Sequence, residues 1–376
     1  MAGIYIHIPF CKQKCHYCNF FSVASQKNKV AFLNVLNEEI SNRKPYLGDE
    51  SVSTIYIGGG TPSVLSKDEL MRIFDQLRAN YNVLPDAEIT LEANPDDLSI
   101  NYLQELKETP INRLSIGVQS FFDDDLKYLN RVHTADQALN RVKDALDAGF
   151  KNMSIDLIYG IPTLSNEKWE ANLKTFFDLN ITHLSAYSLT VEPKTALHQL
   201  IKKKKLKDIQ DEQSIAHFKI LQKQIKEKGF EHYEISNFSK PGHYSKHNSL
   251  YWLGGNYLGL GPSAHSFNGS SRQWNASSLA KYLQCVNNGD LVYEKEILTK
   301  KQQFNEYVMT SLRTSWGCNL EHISNVFGTD FTSRTESEIQ PFIQKGLIIQ
   351  ENKILFLTEE GKLFADGIAS ELFIEE

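Results

Sequence analysis

The chain has 376 residues, with 40 Lys and Arg against 46 Asp and Glu and a net charge of −6 at pH 7, so its length suits about two domains. Charges of both signs are interspersed, which excludes a global electrostatic case for nucleic acid. No apolar run approaches the ~18 residues of a membrane span, and MAGIYIHIPF lacks the basic segment and cleavage site of a signal peptide, so a cytoplasmic protein with at most peripheral membrane contact is expected.

In chain order, GIYIHI predicts a first strand, and PFCKQKCHYCNF directly after it gathers Cys11, Cys15 and Cys18. Cys285 and Cys318 stand alone downstream and read as buried small hydrophobes. An odd count in a reducing compartment argues against a disulfide framework and for metal or redox chemistry at the cluster. STIYIG is a second strand, followed by the glycine-rich GGGTP, whose residues without Cβ let backbone approach a ligand closely. A capping box from Ser66 to Glu69 opens a helix bearing Leu70, Phe74 and Leu77. AEITLEA, NRLSIGV, NMSIDLIY and HLSAYSL complete six strands. A second capping box, Thr134 to Gln137, sets Leu139, Val142 and Leu146 on one helical face that stops at Gly149.

Six strands alternating with helices imply an α/β fold with a parallel sheet, either doubly wound or a barrel. Glu92, Gln119 and Asp156 each fall near the C-terminal end of a predicted strand. Taken singly each is equally a strand-end cap, but their convergence favours a full or partial (β/α) barrel whose mouth is the site. After residue 200 the run IKKKKLKD reads as a solvated loop, and a helix is expected near 210 to 228. The Gly-, aromatic- and His-rich stretch from His232 to Phe267 reads as irregular structure closing over something. KQQFNEYVMTSLR and KILFLTEEGKLF predict a smaller C-terminal helical or winged-helix-like domain. The expected divisions are 1–200, a barrel core; 201–296, a barrel extension; and 297–376, the C-terminal domain.

The C-x3-C-x2-C spacing on a loop suits three thiolates on three corners of a [4Fe–4S] cube, leaving one iron open. Structural zinc, with His7 or His16 as fourth ligand, is the alternative, although such sites usually draw two ligand pairs from separate knuckles. Phe20 stands where a further thiol would sit. Cys11, Cys15 and Cys18, with Tyr17 before the last, resemble the signature of the radical S-adenosylmethionine (SAM) enzymes. That resemblance implies that the open iron binds the amino and carboxylate groups of SAM, and that an electron from the reduced cluster breaks a C–S bond to give methionine and a 5'-deoxyadenosyl radical.

A closer resemblance covers most of the chain. YIHIPFC, GGGTP, LEANPDDL, NRLSIGVQSF, DLIYGIP and HLSAYSLTVEP are similar to the group that contains the oxygen-independent coproporphyrinogen III dehydrogenases and the haem chaperones. It implies that Tyr5, Cys11, Cys15, Tyr17, Cys18, Gly60, Thr61, Glu92, Gln119, Arg131 and Asp156 bind the cluster or SAM. Glu92 is expected on the ribose hydroxyls and Arg131 on the SAM carboxylate. GIPTLS departs from the group, which usually has a Gly-Gln pair after the proline. The dehydrogenases carry another cysteine where this chain has Phe20, and an N-terminal extension where only ten residues precede Cys11; both differences point to the chaperone branch.

HNSLYW, residues 247 to 252, resembles the HNxxYW motif of those chaperones. The motif implies that His247 ligates haem, with Tyr251 and Trp252 offering flat apolar surface and His243 and His265 as rival ligands. Outside that context His247 reads as a satisfied loop histidine. The implied function is a haem chaperone serving apoproteins, including those of the respiratory chain, with a flavodoxin or ferredoxin as electron donor. The alternative is the dehydrogenase, an oxidative decarboxylation of propionate side chains.

Overall fold

A computed structural model describes residues 1–287 and 293–375; the side chain of Cys285 lies outside the described residues. Six parallel strands lie side by side in chain order: β1 (Ala2–Ile8), β2 (Val52–Gly59), β3 (Val83–Ala93), β4 (Arg113–Gln119), β5 (Met153–Tyr159) and β6 (His183–Ser188). The order never reverses, so the crossovers wind in one direction and the sheet curls into a partial (β/α) barrel rather than a doubly wound sheet.

Alternation explains why these segments become strands of a barrel. Ile4, Ile6 and Ile8 of β1, Ile55 and Ile57 of β2, and Ile155 and Leu157 of β5 are buried against the surrounding helices. The intervening positions are polar and share one face: Tyr5 pairs with Tyr56, Glu92 with Ser115, and Asp156 with Ser185. The inner face of the barrel is therefore a stack of hydrogen-bonding groups.

Both capping boxes form. Ser66 Oγ accepts from the Glu69 amide at 3.3 Å while Glu69 Oε2 accepts from the Ser66 amide at 2.8 Å, starting the helix Lys67–Asn80. Ser66→Ala is expected to lower unfolding free energy by about 1 kcal/mol, read as a shift of the urea midpoint without a change in slope. In the helix Ala135–Asp147 the fully buried stripe is Ala138, Val142 and Ala145, while Leu139 and Leu146 are half-buried beside it. The helix packs closely through its small residues, which moves the contact line off the leucines named from periodicity. Gly149, at φ +90°, follows its last turn.

The stretch from His232 to Phe267 is not irregular, as its composition suggested. It forms β7 (Glu231–Glu234), β8 (Asn237–Ser239), the helix Lys246–Trp252, β9 (Tyr257–Leu260) and β10 (His265–Phe267). Strands of three or four residues are too short for alternation to register. Rather than lying over the barrel they extend it at both edges. β8 pairs antiparallel with β6 and carries β7; β9 pairs parallel with β1, and β10, β11 (Ser271–Asn275) and β12 (Tyr293–Ile297) continue outward. The predicted helix near 210 is Asp211–Glu227, and Lys202 to Lys205 are solvent-exposed.

A second core, running from Phe304 to Leu372, belongs to helices and a small sheet of β13 (Cys318–Asn319), β14 (Ile348–Glu351) and β15 (Ile354–Leu357). Cys318 is fully buried within it. Among the described residues no helix is long and apolar enough to cross a membrane.

Candidate functional site

A cavity of about 420 Å³ opens at the C-terminal ends of the barrel strands. Cys11, Cys15, Tyr17, Cys18, Gly60, Thr61, Glu92, Gln119, Arg131 and Asp156 all line it. Residues spread over 146 positions, from 11 to 156, thus share one chamber.

The cysteine loop is held by distant chain. The His16 amide donates to Leu129 O at 3.1 Å, its Nδ1 donates to Tyr128 O at 3.0 Å, and the Leu197 amide donates to His16 O at 2.7 Å. Asn130 ends the helix Asp123–Leu129 in the left-handed region, at φ 60°, a conformation that asparagine tolerates. Its side-chain amide donates to Lys14 O at 2.9 Å, and its own carbonyl accepts from Gln13. The next residue is Arg131. Asn94 Oδ1 at 2.6 Å and Gly117 O at 2.8 Å anchor its guanidinium, which reaches Cys15 Sγ at 3.3 Å. Burial pushes the Cys18 thiol up to about 11.

The acidic side of the cavity belongs to Glu92 and Asp156. Glu92 accepts from the Tyr56 hydroxyl at 2.8 Å and from the Gly59 amide at 3.0 Å. Burial pushes Glu92 up to about 7 and Asp156 to about 6, although Tyr56 and Ser185 respectively pull the other way. A carboxyl raised in the folded state binds protons that the unfolded chain has released, so its charge costs stability as pH rises from the unfolded value through the folded one. The cofactor-free Glu92→Gln variant is therefore expected to gain thermal stability relative to wild type between pH about 5 and about 7.5. A stability difference that does not change over that interval would contradict it.

Gln119 closes β4 at φ 69°, a backbone conformation uncommon for a residue with a side chain and often stored where a side chain must be aimed into a site. The glycines of GGGTP have a clearer reason than approach to a ligand. A Cβ on Gly58 would lie 3.0 Å from the Glu92 carboxylate, one on Gly59 2.6 Å from His7 Nδ1, and one on Gly60 2.9 Å from both Ile8 O and Phe10 O. The loop is bare because it is pressed against the carboxylate and the chain leading to Cys11.

Two expected residues lie elsewhere. Tyr5 sits one strand in from the lining, stacked on Tyr56 at 6.2 Å with its hydroxyl 3.1 Å from His7 Nδ1. His247 is fully buried, with Nδ1 2.8 Å from Thr54 Oγ1 and Nε2 2.8 Å from the Tyr251 hydroxyl. An imidazole ligates iron through a free ring nitrogen, and neither nitrogen is free here. His243 and His265 are exposed. Phe20 is 65% exposed at the cavity rim. Tyr56, Asn94, Ser115 and Gly117 also build the site. Asn94 stands in the LEANPDDL segment and Gly117 in NRLSIGVQSF, but only the lumen pairing singles them out.

The donor set fits an iron–sulfur cube better than a single ion. Among the described residues no group of three His, Cys, Asp or Glu side chains is placed to hold one metal ion. The thiols instead surround a chamber. Of the two histidines proposed as a fourth zinc ligand, His7 has both ring nitrogens occupied, Nε2 by Phe21 O at 2.8 Å and Nδ1 by the Tyr5 hydroxyl at 3.1 Å, and His16 is tied through Nδ1 to Tyr128 O.

The family models agree with this geometry. Residues 5–176 match the radical SAM superfamily and residues 298–364 match the HemN C-terminal domain. "Heme chaperone HemW" of Bacillus subtilis (strain 168) is 35% identical over 371 residues, 98% of each chain. The chain belongs to the HemW family. The HemW of Escherichia coli (strain K12) is 32% identical over all of this chain and 98% of its own. Among solved structures, the coproporphyrinogen III oxidase HemN from Escherichia coli, described as a radical SAM enzyme, superposes with a TM-score of 0.86 at 25% identity, over 99% of this chain and 90% of that one. This chain and HemN thus share the barrel and its C-terminal companion.

Proposed function

We propose that this protein is a cytoplasmic haem chaperone that binds haem and passes it to apoproteins, with a [4Fe–4S] cluster on Cys11, Cys15 and Cys18 and SAM in the adjoining cavity. The observation that carries the cofactor assignment is the convergence of three thiols on a chamber lined by Gly60, Thr61, Glu92, Gln119, Arg131 and Asp156. The cluster and SAM together supply one-electron chemistry when bound. The chain's own task is positioning: Arg131 is poised to pair with a carboxylate, Glu92 and Asp156 to accept from hydroxyl or ammonium groups, and the buried walls to exclude water.

Haem is the cargo, supported by the name and the full-length similarity of the HemW relatives. The cavity has the volume of one small-ligand site, so the macrocycle is assigned to the rim, where Phe20 exposes a flat apolar face. Titrating haem into the cluster-loaded protein tests the assignment: a saturable Soret difference spectrum is expected, and its absence would sink the chaperone reading. The HemN likeness favours one alternative, oxidative decarboxylation of coproporphyrinogen III. Anaerobic incubation with SAM and a reductant separates the two, since conversion to protoporphyrinogen IX would replace the chaperone assignment. Haem acceptors of the respiratory chain, and a flavodoxin or ferredoxin as electron donor, complete the proposal.

A further inference from the structure

His247 and Tyr251 stand inside the barrel without lining the cavity, and their contacts lead to it. The N-cap Ser245 starts the helix Lys246–Trp252, which delivers the His247 ring between β1 and β2. Gly3 makes room there: a Cβ on it would lie 2.8 Å from Thr54 Oγ1 and 3.2 Å from His247 Cε1. The imidazole is then fixed at both nitrogens, by Thr54 and Tyr251, and the backbone that carries it is held by Glu88 Oε1, which accepts from the His247 amide at 3.1 Å. Tyr251 is itself set edge-on against Tyr257 of β9 at 4.5 Å.

The face of that immobilised ring stacks on Tyr56, 5.2 Å away and inclined by 28°. Tyr56 is also stacked on Tyr5, at 6.2 Å and 27°. A phenol held by ring contacts has little freedom to re-aim its hydroxyl, and this hydroxyl donates to Glu92 Oε1 at 2.8 Å. The series His247, Tyr56, Glu92 therefore ends on a carboxylate of the cavity wall.

The geometry points to His247 as a positioning residue for the SAM site: it holds Tyr56 against Glu92 and so fixes the acceptor that faces the bound cofactor. This role rests on the reading that the cavity takes SAM. It also accounts for the full burial of His247 and the occupation of both its nitrogens, neither of which suits an axial ligand.

Several groups set the charge of Glu92. Burial and Asp156 of β5 oppose its ionisation; the Tyr56 hydroxyl and the Gly59 amide of β2 and Arg113 of β4 favour it. The hydroxyls of Tyr5, Tyr187 and Tyr251 also lie within its field. Removing or misaiming the Tyr56 donor deletes a contact that favours the carboxylate, so Glu92 then ionises at higher pH. A merely structural histidine would not move that titration.

The test is SAM titration of cluster-loaded wild type, His247→Ala, Tyr56→Phe and the double variant across pH 6 to 9, roughly centred on the raised Glu92 value. Each single change is expected to weaken SAM binding about tenfold and to move its acid limb to higher pH. The double variant should bind no more weakly than either single one, because both act through one hydrogen bond. His247→Ala with wild-type SAM affinity and pH dependence, or losses that simply add, would overturn the role. If His247→Ala does not fold, His247→Gln with Tyr56→Phe forms the same cycle. Haem titration of the same variant keeps the two assignments apart, since lost haem affinity with intact SAM binding would return His247 to the ligand role. Failure of wild type to bind SAM would remove the cavity reading and this role with it.

Discussion

Cys15→Ser is expected to leave a folded protein whose iron and sulfide fall to background and whose SAM affinity drops by at least about a hundredfold, the loss of anchor and open iron together. The thiol is partly exposed in the cavity and bonded to Arg131 Nη1 at 3.3 Å, so a near-isosteric hydroxyl costs little in packing. What disappears is a soft anionic ligand that a neutral hydroxyl does not replace. Cys318→Ser supplies the control, because that residue lies in the core of the C-terminal domain and should retain full iron content. Metal analysis and the visible spectrum after anaerobic reconstitution decide the matter. A Cys15→Ser protein that keeps its cluster would invalidate the three-thiol site.

Gly59→Ala should be among the more damaging single methyls in the barrel. The residue has φ 111°, a backbone conformation that only glycine adopts readily, and its Cβ would fall 2.6 Å from His7 Nδ1. His7 has little room to retreat, being buried and bonded to Phe21 O at 2.8 Å. Strain and clash together should cost about 3 kcal/mol or more. The Gly59 amide would also be drawn away from Glu92, so SAM affinity should fall alongside stability. Gly346→Ala separates the two causes: it has φ 69° but open space around the added methyl, and should cost about 1 kcal/mol. Equal losses in the two variants, read from urea melts, would mean that the contact with His7 is soft.

The six strands were legible because each alternates apolar residues facing the helices with polar ones facing the lumen, and because recognisable helix starts such as Ser66 and Thr134 separate them. Glu92, Gln119 and Asp156 stood out as polar residues near strand ends and do meet at one cavity. Tyr56 did not stand out, since nothing along β2 distinguishes a tyrosine that serves a carboxylate from one that fills a core. His247 shows the opposite case: its motif is conspicuous, yet its burial and two hydrogen bonds are properties of the assembled barrel. The short strands β7 to β10 escaped notice because each is only three or four residues long.

The manner in which the cysteine loop is secured bears on how the protein is made. Cys11, Cys15 and Cys18 are translated well before the groups that shape their loop. His16 Nδ1 waits for a carbonyl 112 residues onward, and Lys14 O for a side chain 116 residues onward. The last tie, from the Leu197 amide to His16 O, closes only after the sixth barrel strand has been synthesised. Contacts of such sequence separation form late in folding because the intervening loop must first be closed. Cluster insertion is therefore expected to wait for a nearly complete barrel, and nascent chains halted before residue 197 should bind iron loosely or not at all.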